Sequence, residues 1–168
     1  MDSRSLVAAF LARWRVQDVE MTLEYTNEDI VYALYISDTA LPYGGETRGK
    51  ANIRNVLYAI LAEFDYLKYE PTIVAVDGDV VRAQVQFIYH HRLTGENLAG
   101  SKRLVFTVRD GLIVRIEEYH DAGMVEAFMR LTAHRTRTND LPAPPELPKR
   151  AGKASKPTVR PRRVLRCL

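Results

Sequence analysis

The chain has 168 residues, 46% apolar and 27% charged, which suits one domain with a single core. It contains no run of eighteen apolar residues, which excludes a hydrophobic transmembrane helix. The net charge of +3 is uneven: residues 1–140 hold 16 Lys/Arg against 20 Asp/Glu, and residues 141–168 hold eight against Glu146 alone. The pI near 9.0 therefore describes the C-terminal stretch and makes no case for a nucleic-acid-binding body. The only cysteine, Cys167, leaves no internal disulfide to form.

Residues 4–15 space Leu6, Val7, Phe10, Leu11 and Trp14 as the buried stripe of an amphipathic helix. Arg13 and Arg15 fall where a signal peptide needs an apolar core, so the expected location is cytoplasmic, with no membrane partner. Asp18 is a plausible N-cap for a short second helix, DVEMTLEYT, which Asn27 ends. Asp29–Tyr35 is rich in β-formers and reads as a strand. Pro42, Gly44 and Gly45 mark residues 37–47 as a loop. After Gly49-Lys50, Ile53, Val56, Leu57, Ile60, Leu61 and Phe64 keep helical spacing.

From Tyr66 the pattern turns to β. Tyr66–Val76 is a strand whose Pro71 suits an edge or a bulge, and Asp77-Gly78-Asp79 is a turn. Val80–Arg92 is a long strand, followed by a hairpin loop at Gly95 and a strand over Ser101–Arg109. Asp110-Gly111 fits the positive φ values of a tight hairpin turn into the strand Leu112–Glu118. Beyond Tyr119-His120-Asp121, Met124, Val125, Phe128 and Leu131 return to helical spacing. The order is α+β: helices, a meander of long hairpins, a closing helix. Residues 1–137 form the predicted body. Residues 138–168, rich in proline and basic residues, form a mostly unstructured tail.

A hairpin strand that ends in a carboxylate and is followed by a closing helix, DGLIVRIEEYHDAGMVEAF, resembles the C-terminus of the nuclear-transport-factor-2-like superfamily. That superfamily includes SnoaL-like polyketide cyclases, ketosteroid isomerases and limonene-epoxide hydrolases. The resemblance spans residues 5–132 and implies a cone, in which a curved antiparallel sheet wraps around the N-terminal helices. It also implies a functional aspartate at Asp121. Burial in an apolar pocket would raise the pKa of that carboxyl and make it an acid or base. As the N-cap of the closing helix it would accept backbone N–H bonds instead.

On the long strand, Arg82, Gln84, Gln86, Ile88 and His90 share one face, and Val81, Ala83, Val85, Phe87, Tyr89 and His91 share the other. The polar face either lines a cavity or is the wet side of the sheet. Tyr32, Gln84, Gln86, His90 and Tyr119 are the candidate ligand-orienting residues. Epoxide hydrolases of this group carry Arg-x-Asp where this chain has Gln84-Val85-Gln86, and Tyr-x-Asn where it has Tyr32-Ala33-Leu34. Two amides cannot deprotonate water, so negligible epoxide turnover is expected. Ketosteroid isomerases place a base aspartate where this chain has Ala33-Leu34-Tyr35.

His90 and His91 point to opposite faces and cannot chelate one ion together, and His90 with His120 and Asp121 lacks a recognisable ligand spacing, so no metal site is expected; no other cofactor is expected either. Of Glu117 and Glu118, which alternate, one is expected to be solvated. Two functions remain open. One is a cofactor-independent isomerase, cyclase or dehydratase acting on a hydrophobic oxygenated molecule. The other is a non-catalytic ligand-binding or dimeric interaction module. A homodimer is expected through the strip Val81, Ala83, Val85 and Phe87, taken as an outer face. Nucleic-acid contact, if any, would be nonspecific and through the tail.

Overall fold

The computed structural model describes residues 1–139; the predicted tail lies outside the described residues, save its first two positions. Helix α1 (Ser3–Arg15) starts where Asp2 accepts the Ser5 N–H at 2.7 Å. It buries the five apolar residues that its spacing marks. Helix α2 (Val19–Leu23) is capped by Asp18, which accepts the Met21 N–H at 3.1 Å. It is shorter than expected, because Thr26 already opens strand β1 (Thr26–Leu34). A four-residue strand, β2 (Gly45–Arg48), lies inside the predicted loop and pairs antiparallel with Val31–Leu34. Its sequence GETR has no apolar alternation, so only the pairing partner defines it.

Helix α3 (Lys50–Glu63) runs straight into β3 (Phe64–Asp77), with Phe64 already extended at φ −126°. Strands β4 (Val80–His91), β5 (Asn97–Arg109) and β6 (Leu112–Tyr119) complete the meander, and α4 (Ala122–Asn139) closes it. The sheet order is β2-β1-β6-β5-β4-β3, with β1 parallel to β6 and every other pair antiparallel. Pro71 therefore sits on an edge strand, where a missing N–H costs no ladder bond. Asp110 and Gly111 have φ of 51° and 74°, as the predicted hairpin turn requires.

The curved sheet, open at its edges, packs its concave face on the helices. Phe10 of α1 meets Phe106 of β5 edge-on at 5.5 Å, and Trp14 meets Tyr66 of β3 at 5.6 Å. This orientation corrects one expectation. Val81, Ala83, Val85 and Phe87 are at most 2% exposed, so the apolar strip is core and not an outer face. The period-two pattern is as read; the helices cover its apolar side. Among the described residues no helix is long and apolar enough to cross a membrane.

Candidate functional site

The inward face of β5 reads Leu98, Gly100, Lys102, Leu104, Phe106, Val108; that of β6 ends Ile116, Glu118, and His120 follows just past the strand's end. A lysine and a glutamate thus interrupt two apolar rows. The side chains of Lys102, Glu118 and His120 are 3%, 10% and 7% exposed. Leu104 pairs with Glu118 across the β5–β6 ladder, which places Lys102 two residues along on the same face. Strand β1 brings Tyr32 from the other side, in register with Ile116.

These residues converge on one carboxylate. Glu118 Oε1 accepts from Lys102 Nζ at 2.8 Å and lies 2.6 Å from His120 Nε2. Glu118 Oε2 accepts from the Tyr32 hydroxyl at 3.0 Å. Burial alone would raise the Glu118 pKa, but the Lys102 ammonium and the His120 contact outweigh it and hold the carboxyl well below its usual range. Burial would likewise lower the Lys102 pKa, and the Glu118 charge outweighs it and keeps the ammonium above its ordinary value. The two shifts agree: this is an ion pair.

The pairing assigns the imidazole. An ionised carboxylate only accepts hydrogen bonds, so the short contact places a proton on His120 Nε2. In the neutral ring Nδ1 is then a bare acceptor, and it is buried with no hydrogen-bond partner among the described residues. The Tyr89 hydroxyl is buried and also makes no well-formed hydrogen bond.

All of these groups line one cavity of about 80 Å³, several times the space a single water needs. Five tyrosines, at positions 32, 43, 66, 69 and 89, supply its polar rim, and the rest of the wall is mostly aliphatic and aromatic. Burial raises the pKa of Tyr32, Tyr66, Tyr69 and Tyr89 further above neutrality, so the phenols stay uncharged. Lys102 Nζ sits 5.4 Å from the Tyr69 ring centre and 5.7 Å from that of Tyr89, within cation–π range. Trp14, the only tryptophan, is part of the wall. At the rim, Tyr43 donates to Glu63 at 2.9 Å, and Glu63 lies 3.5 Å from His91.

Of the residues singled out from the sequence, Tyr32 is on the cavity wall. The other five are not. Asp121 is exposed and accepts the Met124 N–H at 3.1 Å, so it serves as the N-cap of α4. Gln84 and Gln86 are exposed on the opposite face of β4. The arginine–aspartate pair of epoxide hydrolases thus has no counterpart on the cavity side. His90 shares that outer face and lies 2.8 Å from Asn97 Oδ1, on the other side of the sheet from His120. Tyr119 stacks on Tyr35 at 4.5 Å, with the outer Glu117 accepting from both hydroxyls. For the four strand residues the physical reason is shared: the cone interior is mostly apolar, so the polar sides of its strands face out.

Lys102, Glu118 and His120 were missed as site residues. Their signal is legible in hindsight, since each is a polar residue at an apolar position of a period-two row. Glu117 and Glu118 do alternate as expected, and Glu118 is the buried member.

Comparisons with known proteins agree with this architecture. The model of the SnoaL-like domain matches residues 7–116. A comparison with curated proteins gives no match. Among solved structures, an NTF2-like protein from Burkholderia thailandensis is similar at TM-score 0.68 and 23% identity, covering 77% of this chain and 98% of its own. The structure of TerC co-crystallised with polyporic acid is similar at TM-score 0.68 and 20% identity, covering 76% and 98%. A candidate polyketide cyclase from Xanthomonas campestris gives TM-score 0.63 and 20% identity, covering 76% and 96%. At these identities the structures speak for the fold, and the domain match, which spans more than half of the chain, speaks for descent. The chain belongs to the SnoaL-like family.

Proposed function

We propose that the protein binds a hydrophobic, oxygenated small molecule in this cavity and moves a proton on it without a cofactor, as an isomerase, cyclase or dehydratase does. The observation that carries this reading is His120, a residue of the cavity wall: its Nε2 is held 2.6 Å from Glu118, and its Nδ1 is buried with no hydrogen-bond partner among the described residues. A carboxylate that fixes the tautomer and leaves the second nitrogen bare makes an oriented general base. Glu118 itself is unsuited to that task. Its oxygens accept three hydrogen bonds, and its pKa is held low.

Lys102 completes the chemistry. An ammonium has three donors, and one is spent on Glu118. The others can meet an oxygen on which charge develops when a neighbouring carbon loses its proton. The tyrosine-rich wall suits an aromatic or polycyclic body. TerC, a protein of the same fold, was co-crystallised with polyporic acid, which supports a small-molecule ligand for this fold.

The test is carbon-bound exchange. With 2-tetralone in D₂O, the protein should accelerate deuterium entry next to the carbonyl, followed by NMR. His120→Gln should lose about 10²–10⁴-fold of that rate, the usual contribution of one positioned base. Asp121→Asn should retain it. Equal rates for wild type and His120→Gln would refute the assignment.

A further inference from the structure

The charges on the cavity wall say what kind of molecule can enter. Among the described residues the wall carries one ammonium, Lys102, one carboxylate, Glu118, and one imidazole, His120; the remaining side chains are apolar, a threonine, or tyrosines. The ammonium and carboxylate are 2.8 Å apart and compensate each other. We propose that this cavity selects molecules that enter uncharged, phenols and enols above all, and takes a fixed monoanion only together with one proton on His120. The inference rests on the reading of His120 as the proton-exchanging group.

A bound anion would need a positive charge not already spent. Among the described residues no second cation lines the cavity. The groups around His120 are Glu118 from the end of β6, Lys102 from β5, Tyr32 from β1 and the Phe87 ring from β4, 5.5 Å away. From α4, Val125 and Met124 pack nearby in the core, and the cap residue Asp121 is exposed. Glu63, which accepts from Tyr43 of the wall and lies 3.5 Å from His91, adds no positive charge of its own. Burying an uncompensated anion here carries a large desolvation cost.

A neutral hydroxyl meets no such cost. Its O–H can donate to His120 Nδ1, and a conjugated oxygen can accept from Lys102, which satisfies both unspent groups. If the proton crosses to Nδ1, the imidazolium and the new oxyanion form as a pair and the net charge of the cavity is unchanged. A carboxylate brings no proton. One must come from solvent onto Nδ1, and the imidazolium then donates to the carboxylate.

Four probes of one shape test this: 2-naphthol, naphthalene, 2-naphthoate and 2-naphthyltrimethylammonium. Binding to the full chain is measured by calorimetry in two buffers of different ionisation heat, with Trp14 fluorescence as a second readout. The neutral phenol should bind at least about tenfold more tightly than naphthalene and exchange no proton with buffer. Naphthoate should take up about one proton on binding, and its affinity should therefore fall as the pH rises. The ammonium probe should bind no better than naphthalene. His120→Gln should remove both the phenol advantage and the proton uptake; the buffer comparison on wild type stands even if that variant does not fold. Naphthoate that binds as tightly as naphthol without proton uptake would overturn the inference, and it would leave the base assignment standing if 2-tetralone exchange still depended on His120. Failure of every probe to bind would overturn both.

Discussion

The Lys102 ammonium and the Glu118 carboxylate meet at 2.8 Å in the interior, with side chains 3% and 10% exposed. A pair this deep is costly to bury and more costly to break. Lys102→Met should leave the carboxylate unpaired and destabilise the fold by about 3–5 kcal/mol. Adding Glu118→Gln to Lys102→Met should recover a substantial part of that loss, because no lone charge then remains. Urea denaturation of both variants decides it; a double variant less stable than the single one would contradict the account.

The pair also sets a pH window. The Glu118 pKa, which burial would raise, is pulled below its ordinary 4.5 chiefly by Lys102, so its contribution is present above that value and is lost as the pH falls beneath it. The Lys102 pKa, which burial would lower, is held above its ordinary 10.5 by Glu118, so its contribution is complete below that value and is lost as the pH rises past it. Urea midpoints should be flat between these limits as far as this pair is concerned. Below the lower limit wild type should lose stability more steeply than Lys102→Met with Glu118→Gln. Parallel acid limbs would show that the pair contributes nothing.

Asp121 offers a contrast. Its carboxylate caps α4 through the Met124 N–H at 3.1 Å and lies outside the cavity. Asp121→Ala should cost about 1 kcal/mol, and Asp121→Asn should cost little, since either residue caps well. Thermal melts report the difference. Ligand binding read through Trp14 should be the same in both.

Val85 distinguishes core from interface. It is fully buried in the middle of β4. Val85→Asp should abolish folding, visible as lost near-UV circular dichroism. A folded but dissociated variant would restore the outer-strip reading of this face.

Most of the fold was legible because local signals carried it. The i, i+3, i+4 spacing from Ile53 to Leu61 gave α3, though Phe64, which continues the spacing, already opens β3, and Asp110-Gly111 gave the β5–β6 turn. Strand β2 was not legible, because GETR acquires its extended form only from pairing with Val31–Leu34. The site was harder for a related reason. Period two separates the faces of β4 but does not say which one the helices cover, so Gln84 and Gln86 were placed inward. Tyr32 was the exception, an aromatic on a strand that is buried over most of its length. Lys102 and Glu118 carried a usable signal, as charges within apolar rows.

The central claim is the protonation state of one ring. Long-range ¹H–¹⁵N spectra of the imidazoles, with His120 assigned by its loss in His120→Gln, read the tautomer directly. Near neutral pH the account predicts a proton on Nε2, toward Glu118 at 2.6 Å, and a bare Nδ1 that shifts when 2-naphthol binds. A proton resident on Nδ1, with Nε2 bare, would contradict it.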